Sequence, residues 1–318
     1  MSTLRVLIVG CGNIAGGFDS PRRDELPLTH AGAYRRDGRF EIAACIEPDD
    51  ARRNAFMKDW GVKQGFGHIE EAKARFDVVS ICSPTASHAS DIAAALALRP
   101  KLIFCEKPVT QSAQESEAAV RCCEAAQVPL AVNYTRRWDP AVADLREAIL
   151  EKRWGELRTV TGCYNKGLLN NGSHLLDLLL LLLGPLRVHA VGVPVEDFKP
   201  ADPTVPVWLH TRDAVPVHLA CGHADDFALF ELQFVFQRAV ITMEEGGMAW
   251  RERQARASQR FTGYRTLDAG QRHDGGYEQA MLRSVDNIYG TVTAGKPLAS
   301  TGESALFAQR LCEEIRKP

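Results

Sequence analysis

The chain has 318 residues, 45% of them hydrophobic and 25% charged, with a formal net charge of −2; this length exceeds one ordinary hydrophobic core, so two domains are expected. The near-neutral balance gives no electrostatic reason for nucleic acid or an anionic membrane as partner, which leaves small molecules or further copies of the chain. Nine cysteines, odd in number and without a Cys-x-x-Cys spacing, fit reduced thiols and a cytoplasmic location better than a disulfide scaffold. Met1-Ser2-Thr3 leads straight into an apolar run with no room for a signal peptide, and the longest apolar tract, Leu175 to Leu183, contains Asp177 and is too short to span a bilayer. It reads as a buried helix.

In chain order, short β-rich runs at Leu4–Val9, Phe40–Ile46, Asp77–Cys82, Lys101–Phe104 and Pro129–Asn133 alternate with helical segments at Asp49–Trp60, Ala86–Leu98 and Gln111–Ala126. That alternation predicts an α/β domain of Rossmann type, a doubly wound parallel sheet, over residues 1–135. After Asn133 a helical stretch, Pro140–Lys152, leads into long alternating strands such as Phe227–Phe236 and Arg238–Met243. Residues 136–318 therefore read as an α+β domain with a large, mostly antiparallel open sheet, for substrate binding and oligomerisation. Two helical segments close the chain, the first with a stripe of Met281, Val285, Ile288 and Val292, and the last placed to pack back on the first domain. An open sheet with one uncovered face predicts self-association, as a homodimer or homotetramer.

Gly10-Cys11-Gly12-Asn13-Ile14-Ala15-Gly16 follows the first strand and opens a helical segment. Glycines there permit a tight turn and let a pyrophosphate approach a helix N-terminus, so a dinucleotide against Gly10, Gly12, Asn13, Ile14 and Gly16 is expected; a plain structural turn is the alternative. Glu47, just past the second strand, is placed to accept hydrogen bonds from ribose hydroxyls and to repel a 2′-phosphate, which favours NAD over NADP. Alternatively it faces solvent beside Pro48. Arg52 and Arg53 soften the choice if they reach a phosphate. Phe18–Leu28, with Asp19, Pro21, Arg22, Arg23, Asp24 and Pro27, reads as a loop inserted before Thr29-His30-Ala31.

Three further motifs carry chemistry: Phe104-Cys105-Glu106-Lys107-Pro108 after an apolar strand, Cys82-Ser83-Pro84-Thr85-Ala86-Ser87-His88, and Asn170-Asn171-Gly172-Ser173-His174-Leu175-Leu176-Asp177. With the glycine turn, and in this order, they resemble the glucose-fructose oxidoreductase and inositol dehydrogenase family, Gfo/Idh/MocA, over nearly the whole chain, down to the helix start at Thr301-Gly302-Glu303. The resemblance implies NAD(P)-dependent hydride transfer between a nicotinamide and a secondary alcohol or ketone of a sugar, sugar nucleotide or cyclitol. It implies that Cys82, Ser83, Pro84, His88, Glu106 and Lys107 lie near the cofactor, that Lys107 meets the reacting oxygen, and that His174 is the acid/base partner. Such chemistry needs a base for the hydroxyl proton and a cation or donor for the alkoxide. Asp177, one helical turn on, reads as binding a substrate hydroxyl, as supporting His174, or as a satisfied polar group in a leucine-rich helix.

The family often carries Asp-x-Gly-x-His where this chain has Asn170 for the acid. An amide takes up no proton, which leaves proton transfer to His174 and Lys107. Arg137, with Arg136 and Trp138, reads as meeting an anionic substrate group or as ion-paired; Tyr164, Asn165 and Lys166 read as lining the sugar pocket. The histidines lack metal-ligand spacing, so no metal is expected. Two other functions stay open: a glycoside hydrolase that oxidises its sugar transiently with bound NAD, and a non-catalytic dinucleotide-binding sensor.

Overall fold

Aliphatic strands that alternate with capped helices build the first half of the chain into a parallel sheet; the computed structural model describes residues 3–19 and 25–317. Two compact units result, Met1–Trp138 with Glu278–Phe307 and Asp139–Tyr277 with Ala308–Pro318.

In the first unit, β1 (Leu4–Val9), β2 (Phe40–Ile46), β3 (Gly65–Phe66), β4 (Val78–Ile81), β5 (Leu102–Cys105) and β6 (Leu130–Val132) form a six-stranded sheet in the order β3-β2-β1-β4-β5-β6. All pairs are parallel, and β4 and β5 are buried along their whole length, as strands covered on both faces must be. Winding reverses between β1 and β4, which opens a crevice at their carboxyl ends. The covering helices are α1 (His30–Asp37), α2 (Asp50–Trp60), α3 (His88–Ala97) and α4 (Ala113–Ala125). Thr29, Asp49 and Ser112 cap α1, α2 and α4 by accepting from backbone N–H groups of the first turn. Helix Ala280–Ala294 belongs to this unit and buries Met281, Val285 and Ile288, while Val292, in its last turn, is half-buried.

Three local features depart from expectation. The glycine turn opens only a five-residue π-type turn, Asn13–Gly17, and α1 begins after the inserted loop. The third helix starts at His88, because Thr85–Ser87 forms a separate 3-10 turn after Pro84. Strand β3 is two residues long, too short to leave a periodic trace.

In the second unit, α5 (Pro140–Leu150) leads to β7 (Leu157–Tyr164) and α6 (Ser173–Leu183). Then follow β8 (Leu186–Val191), β9 (Val195–Lys199), β10 (Asp202–Thr204), β11 (Val207–Thr211), β12 (Pro216–Cys221), β13 (Phe230–Phe236), β14 (Ala239–Glu244), β15 (Ala249–Ala257), β16 (Arg265–Leu267) and β17 (Gln271–Asp274). The large sheet runs β16-β15-β14-β13-β7-β12-β11-β8, with β17 on β15; its pairs are antiparallel apart from β12 beside β7. Strand β13 shows the reason for one covered face: Phe230, Leu232, Phe234 and Phe236 are buried while Glu231, Gln233 and Val235 are half-exposed. The buried face packs on Leu175, Leu176, Leu178, Leu179 and Leu182 of α6, so the apolar tract is a core helix. Among the described residues no helix is long and apolar enough to cross a membrane. All nine cysteines are free thiols.

Candidate functional site

The crevice of the first unit starts from a close approach of backbones. Gly10 has φ +86°, and a Cβ there would lie 2.6 Å from the Ser83 nitrogen and Cα. Cys82 N donates to Val9 O (2.7 Å) and Gly10 N to Ile46 O (2.8 Å), which fixes the turn between β4 and β2. Above Gly12 a Cβ would meet nothing within 4 Å, the open space that a pyrophosphate needs over such a turn. Asn13 is exposed and Ile14 half-buried on the same turn. The third small residue of Gly-x-Gly-x-x-Gly/Ala is Ala15, which is buried; Gly16 lies one place further and seats α2, since a Cβ there would fall 2.2 Å from Trp60 Nε1.

Glu47 is buried, and its carboxylate reaches back to this turn: Oε2 accepts from Cys11 N (3.0 Å), and Oε1 from Asp49 N (3.2 Å) and Arg52 Nη1 (3.4 Å). Arg53 Nη1 donates to Glu47 O at 2.6 Å. Asp19, also buried, closes the base of the inserted loop by accepting from Leu28 N, Thr29 N and Thr29 Oγ1. Pro21, Arg22, Arg23 and Asp24 of that loop lie outside the described residues.

At the end of β5, Glu106 N donates to Ile81 O (2.9 Å), and Glu106 Oε1 accepts from His30 Nε2 (2.9 Å) and Asn133 Nδ2 (2.6 Å). Burial pushes the Glu106 carboxyl up, but the hydrogen bond from His30, then that from Asn133 and the Lys107 ammonium, hold it below the usual carboxylate range. Lys107 follows directly. His88 joins the two neighbouring loops, with Nδ1 2.9 Å from Pro108 O and Nε2 2.9 Å from Ser83 O. Expected to touch the cofactor, His88 is instead a buried strut between the Ser83 and Pro108 loops. Cys82 is likewise buried, its thiol pushed up by burial. Ser83 Oγ donates to Asp91 Oδ2 at 2.5 Å, and Pro84 starts the 3-10 turn that leads into α3. Arg137 Nη1 donates to Ala299 O (3.3 Å) and Trp138 Nε1 to Asn287 Oδ1 (3.0 Å) within the same unit.

In the second unit, a π-type turn, Gly167–Gly172, carries Asn170 into α6. Lys166 enters it with φ 65°. The β9–β10 hairpin holds this turn through two carboxylates that the sequence reading did not single out. Asp197 accepts from Lys166 N (2.9 Å) and Thr204 Oγ1 (2.6 Å), and Thr204 Oγ1 in turn accepts from Gly167 N (2.7 Å). Asp202 accepts from Leu169 N (2.7 Å) and Asn170 N (2.9 Å) through its two oxygens. Asn170 is exposed and donates to Lys166 O at 3.0 Å; His174, four residues on and so on the same side, is half-buried.

Two pocket candidates of this unit, Tyr164 and Asn165, are scaffold, and a third is buried. Tyr164 is fully buried in the core, its hydroxyl donating to Val205 O (2.7 Å) and accepting from Val205 N (3.1 Å), so it presents no surface to a sugar. Asn165 is buried with its amide on the His223, Phe227 and Leu229 backbone. Asp177 is buried in α6, three residues after His174. Among the described residues, no three His, Cys, Asp or Glu side chains group as metal ligands.

A model of the oxidoreductase family with an NAD-binding Rossmann fold, GFO_IDH_MocA, matches residues 4–134. Inositol 2-dehydrogenase of Rhizobium meliloti (strain 1021) is 33% identical over 159 residues, 50% of this chain and 44% of that protein. The chain spans about half the length of the curated relatives it matches. The crystal structure of an oxidoreductase from Agrobacterium radiobacter in complex with NAD+, L-tartaric acid and magnesium superposes with a TM-score of 0.77 at 17% identity, covering 98% of this chain and 95% of that one. A 3-ketoreductase from Actinomadura kijaniata in complex with TDP-benzene and NADP gives a TM-score of 0.78 at 18% identity, covering 99% and 97%. These structures share the fold, and the residues that match the family model include the glycine turn and the Glu106-Lys107-Pro108 step. Over residues 4–134 the chain is similar to the NAD-binding Rossmann domain of the Gfo/Idh/MocA oxidoreductase family.

Proposed function

We propose that the protein is an NAD(P)-dependent oxidoreductase, with NAD preferred, that moves a hydride between the nicotinamide and a secondary alcohol or ketone of a sugar, sugar nucleotide or cyclitol. The observation that carries this reading is the Glu106–Lys107 step at the carboxyl end of β5, pinned by His30 and Asn133 in the same unit as the Gly10–Ser83 approach. The curated relative's name, inositol 2-dehydrogenase, agrees with a polyol substrate.

A bound nicotinamide supplies the acceptor or donor of the hydride. Lys107 holds the reacting oxygen with its ammonium, which stabilises the alkoxide as the proton leaves. In the second unit His174 is the candidate acid/base group, and Asn170 has an amide that takes no part in proton transfer. Gly12 leaves room for the pyrophosphate, and Arg137 of the same unit offers a cationic contact to an anionic substituent if the substrate carries one; Lys166 of the second unit is a candidate for lining the sugar pocket. Glu47, buried next to the glycine turn, opposes a 2′-phosphate, and Arg52 is drawn onto Glu47.

The second proposed partner is another copy of the chain, in the cytoplasm. Trp208, 44% exposed on β11, touches the rings of His189, edge-on, and His218 and offers an aromatic surface for pairing.

A screen of cyclitols, free sugars and nucleotide sugars, read by nicotinamide absorbance with NAD and NADP, tests the reading. Net hydride exchange with one class supports it. A protein that binds dinucleotide yet exchanges hydride with none of them overturns it.

A further inference from the structure

We propose that His30 is a positioning residue for Lys107, acting through Glu106. Its catalytic consequence rests on the hydride-transfer reading above; its geometric consequence does not.

His30 opens α1 directly after the cap Thr29, whose place is set by the buried carboxylate of Asp19. Its ring is 0% exposed and lies over Phe104 of β5, with centroids 4.4 Å apart and planes at 39°. Nε2 is 2.9 Å from Glu106 Oε1, and the same oxygen accepts from Asn133 Nδ2 at 2.6 Å. An ionised carboxylate only accepts, so the imidazole carries its hydrogen on Nε2.

The other ring nitrogen supplies the argument for function. Nδ1 is buried with no hydrogen-bond partner among the described residues. Burying such an atom costs stability that an apolar side chain of similar volume avoids. Filling space therefore does not account for histidine at this position, whereas the Nε2 donor does. It aims the carboxylate from α1 while Asn133 aims it from the end of β6, and Lys107 is the next residue along the chain. Lys107 and the Cys82 and Cys105 thiols also feel the Glu106 charge. Without the donor, Glu106 is held by Asn133 alone, and the ammonium loses a fixed counter-charge at its base.

The test compares the parent with His30→Leu, which keeps volume without a donor, and His30→Gln, whose amide reaches Glu106. Isotope-labelled reductive methylation of lysines gives Lys107 its own NMR signal, assigned by its absence in Lys107→Met. In His30→Leu this signal shifts and kcat falls on the order of ten- to a hundred-fold, with KM for the dinucleotide unchanged. His30→Gln restores both to near the parent. If His30→Leu does not fold, His30→Asn, one methylene too short to reach Glu106, replaces it. Parental kcat and an unmoved Lys107 signal in the variant, whatever its melting temperature, overturn the proposal and leave His30 as packing. A parent with no hydride exchange on any polyol sinks the proposed function instead, and the NMR comparison then decides the positioning role alone.

Discussion

Gly10 and Ser83 come so close that a Cβ on the glycine would sit 2.6 Å from the serine backbone, which joins the glycine turn to the loop after β4 with no space for a side chain. Gly10→Ala meets two penalties, a φ of +86° and an overlap with backbone that cannot swing aside. It is expected to lower stability by about 2–4 kcal/mol, seen as a lower melting temperature. Gly12→Ala is the control, because a Cβ there meets nothing within 4 Å. Its stability should stay near the parent's while dinucleotide affinity drops. A Gly12→Ala variant that binds NAD like the parent would remove the pyrophosphate cradle from this turn.

Replacing Glu47 by Ser should move the ratio of catalytic efficiencies toward NADP, since the charge that opposes a 2′-phosphate is gone and Arg52 is released. The same change takes an acceptor from Cys11 N, so a loss of about 1 kcal/mol in stability should accompany it. Steady-state rates with both cofactors and a denaturant titration measure the two effects separately. An unchanged cofactor ratio excludes the carboxylate from cofactor choice.

Lys107→Met keeps the stem and deletes the ammonium, so dinucleotide affinity by fluorescence titration should hold while turnover falls by on the order of 10² to 10⁴. His174→Asn should lose a similar factor in the hydride-transfer step. Asn170→Asp places a carboxylate four residues before His174, favours the imidazolium and should shift the pH–rate profile upward. A profile indifferent to both changes at 170 and 174, with chemistry rate-limiting, routes proton transfer through other groups.

Asp202→Ala leaves Leu169 N and Asn170 N without their acceptor, at a cost of about 1–3 kcal/mol. Because the carboxylate holds the turn that leads to His174, kcat should fall with it. Dinucleotide affinity, carried by residues of the first unit, should not. Calorimetric titration of NAD against the variant checks the separation.

Five carboxyls among the described residues lie below their ordinary values: Glu156 through Lys152, Glu244 through Arg251 and Arg272, and three more against the effect of burial. Asp77 is lowered by Arg5 N and Lys101 against the effect of burial, Asp197 by Thr204 and Lys166 N against burial, and Glu106 by His30 and Asn133 against burial. A depressed carboxyl contributes stability that is complete above its unfolded value, 3.8 for Asp and 4.5 for Glu, and is lost as pH falls through the folded value. Melting temperature should therefore be flat above about pH 5 and fall steeply below pH 4. Asp197→Asn should be less stable than the parent at neutral pH and lose less on acidification. Parallel curves for the two proteins would deny Asp197 that role.

What the sequence determined by itself was local. The runs Leu4–Val9 and Phe40–Ile46 are apolar apart from Arg5 and Glu41 and became the expected strands, because a strand buried on both faces needs no partner to declare its pattern. The leucines of α6 are apolar on every side, which marks a core helix wherever it packs. Glu106-Lys107-Pro108 and the glycine turn are contiguous and therefore readable. The tertiary structure alone decided contacts that sequence separation hides. His30 meets Glu106 across 76 residues and Asp202 meets Asn170 across 32, by way of a loop insertion and a β-hairpin that no periodicity encodes. Tyr164 and His88 carry the right chemistry for a ligand, yet strand register turns the first into the core and chain crossing places the second between two carbonyls. A side chain's chemical type is written in the sequence, but whether its polar atoms face a ligand or another part of the chain depends on where distant segments arrive.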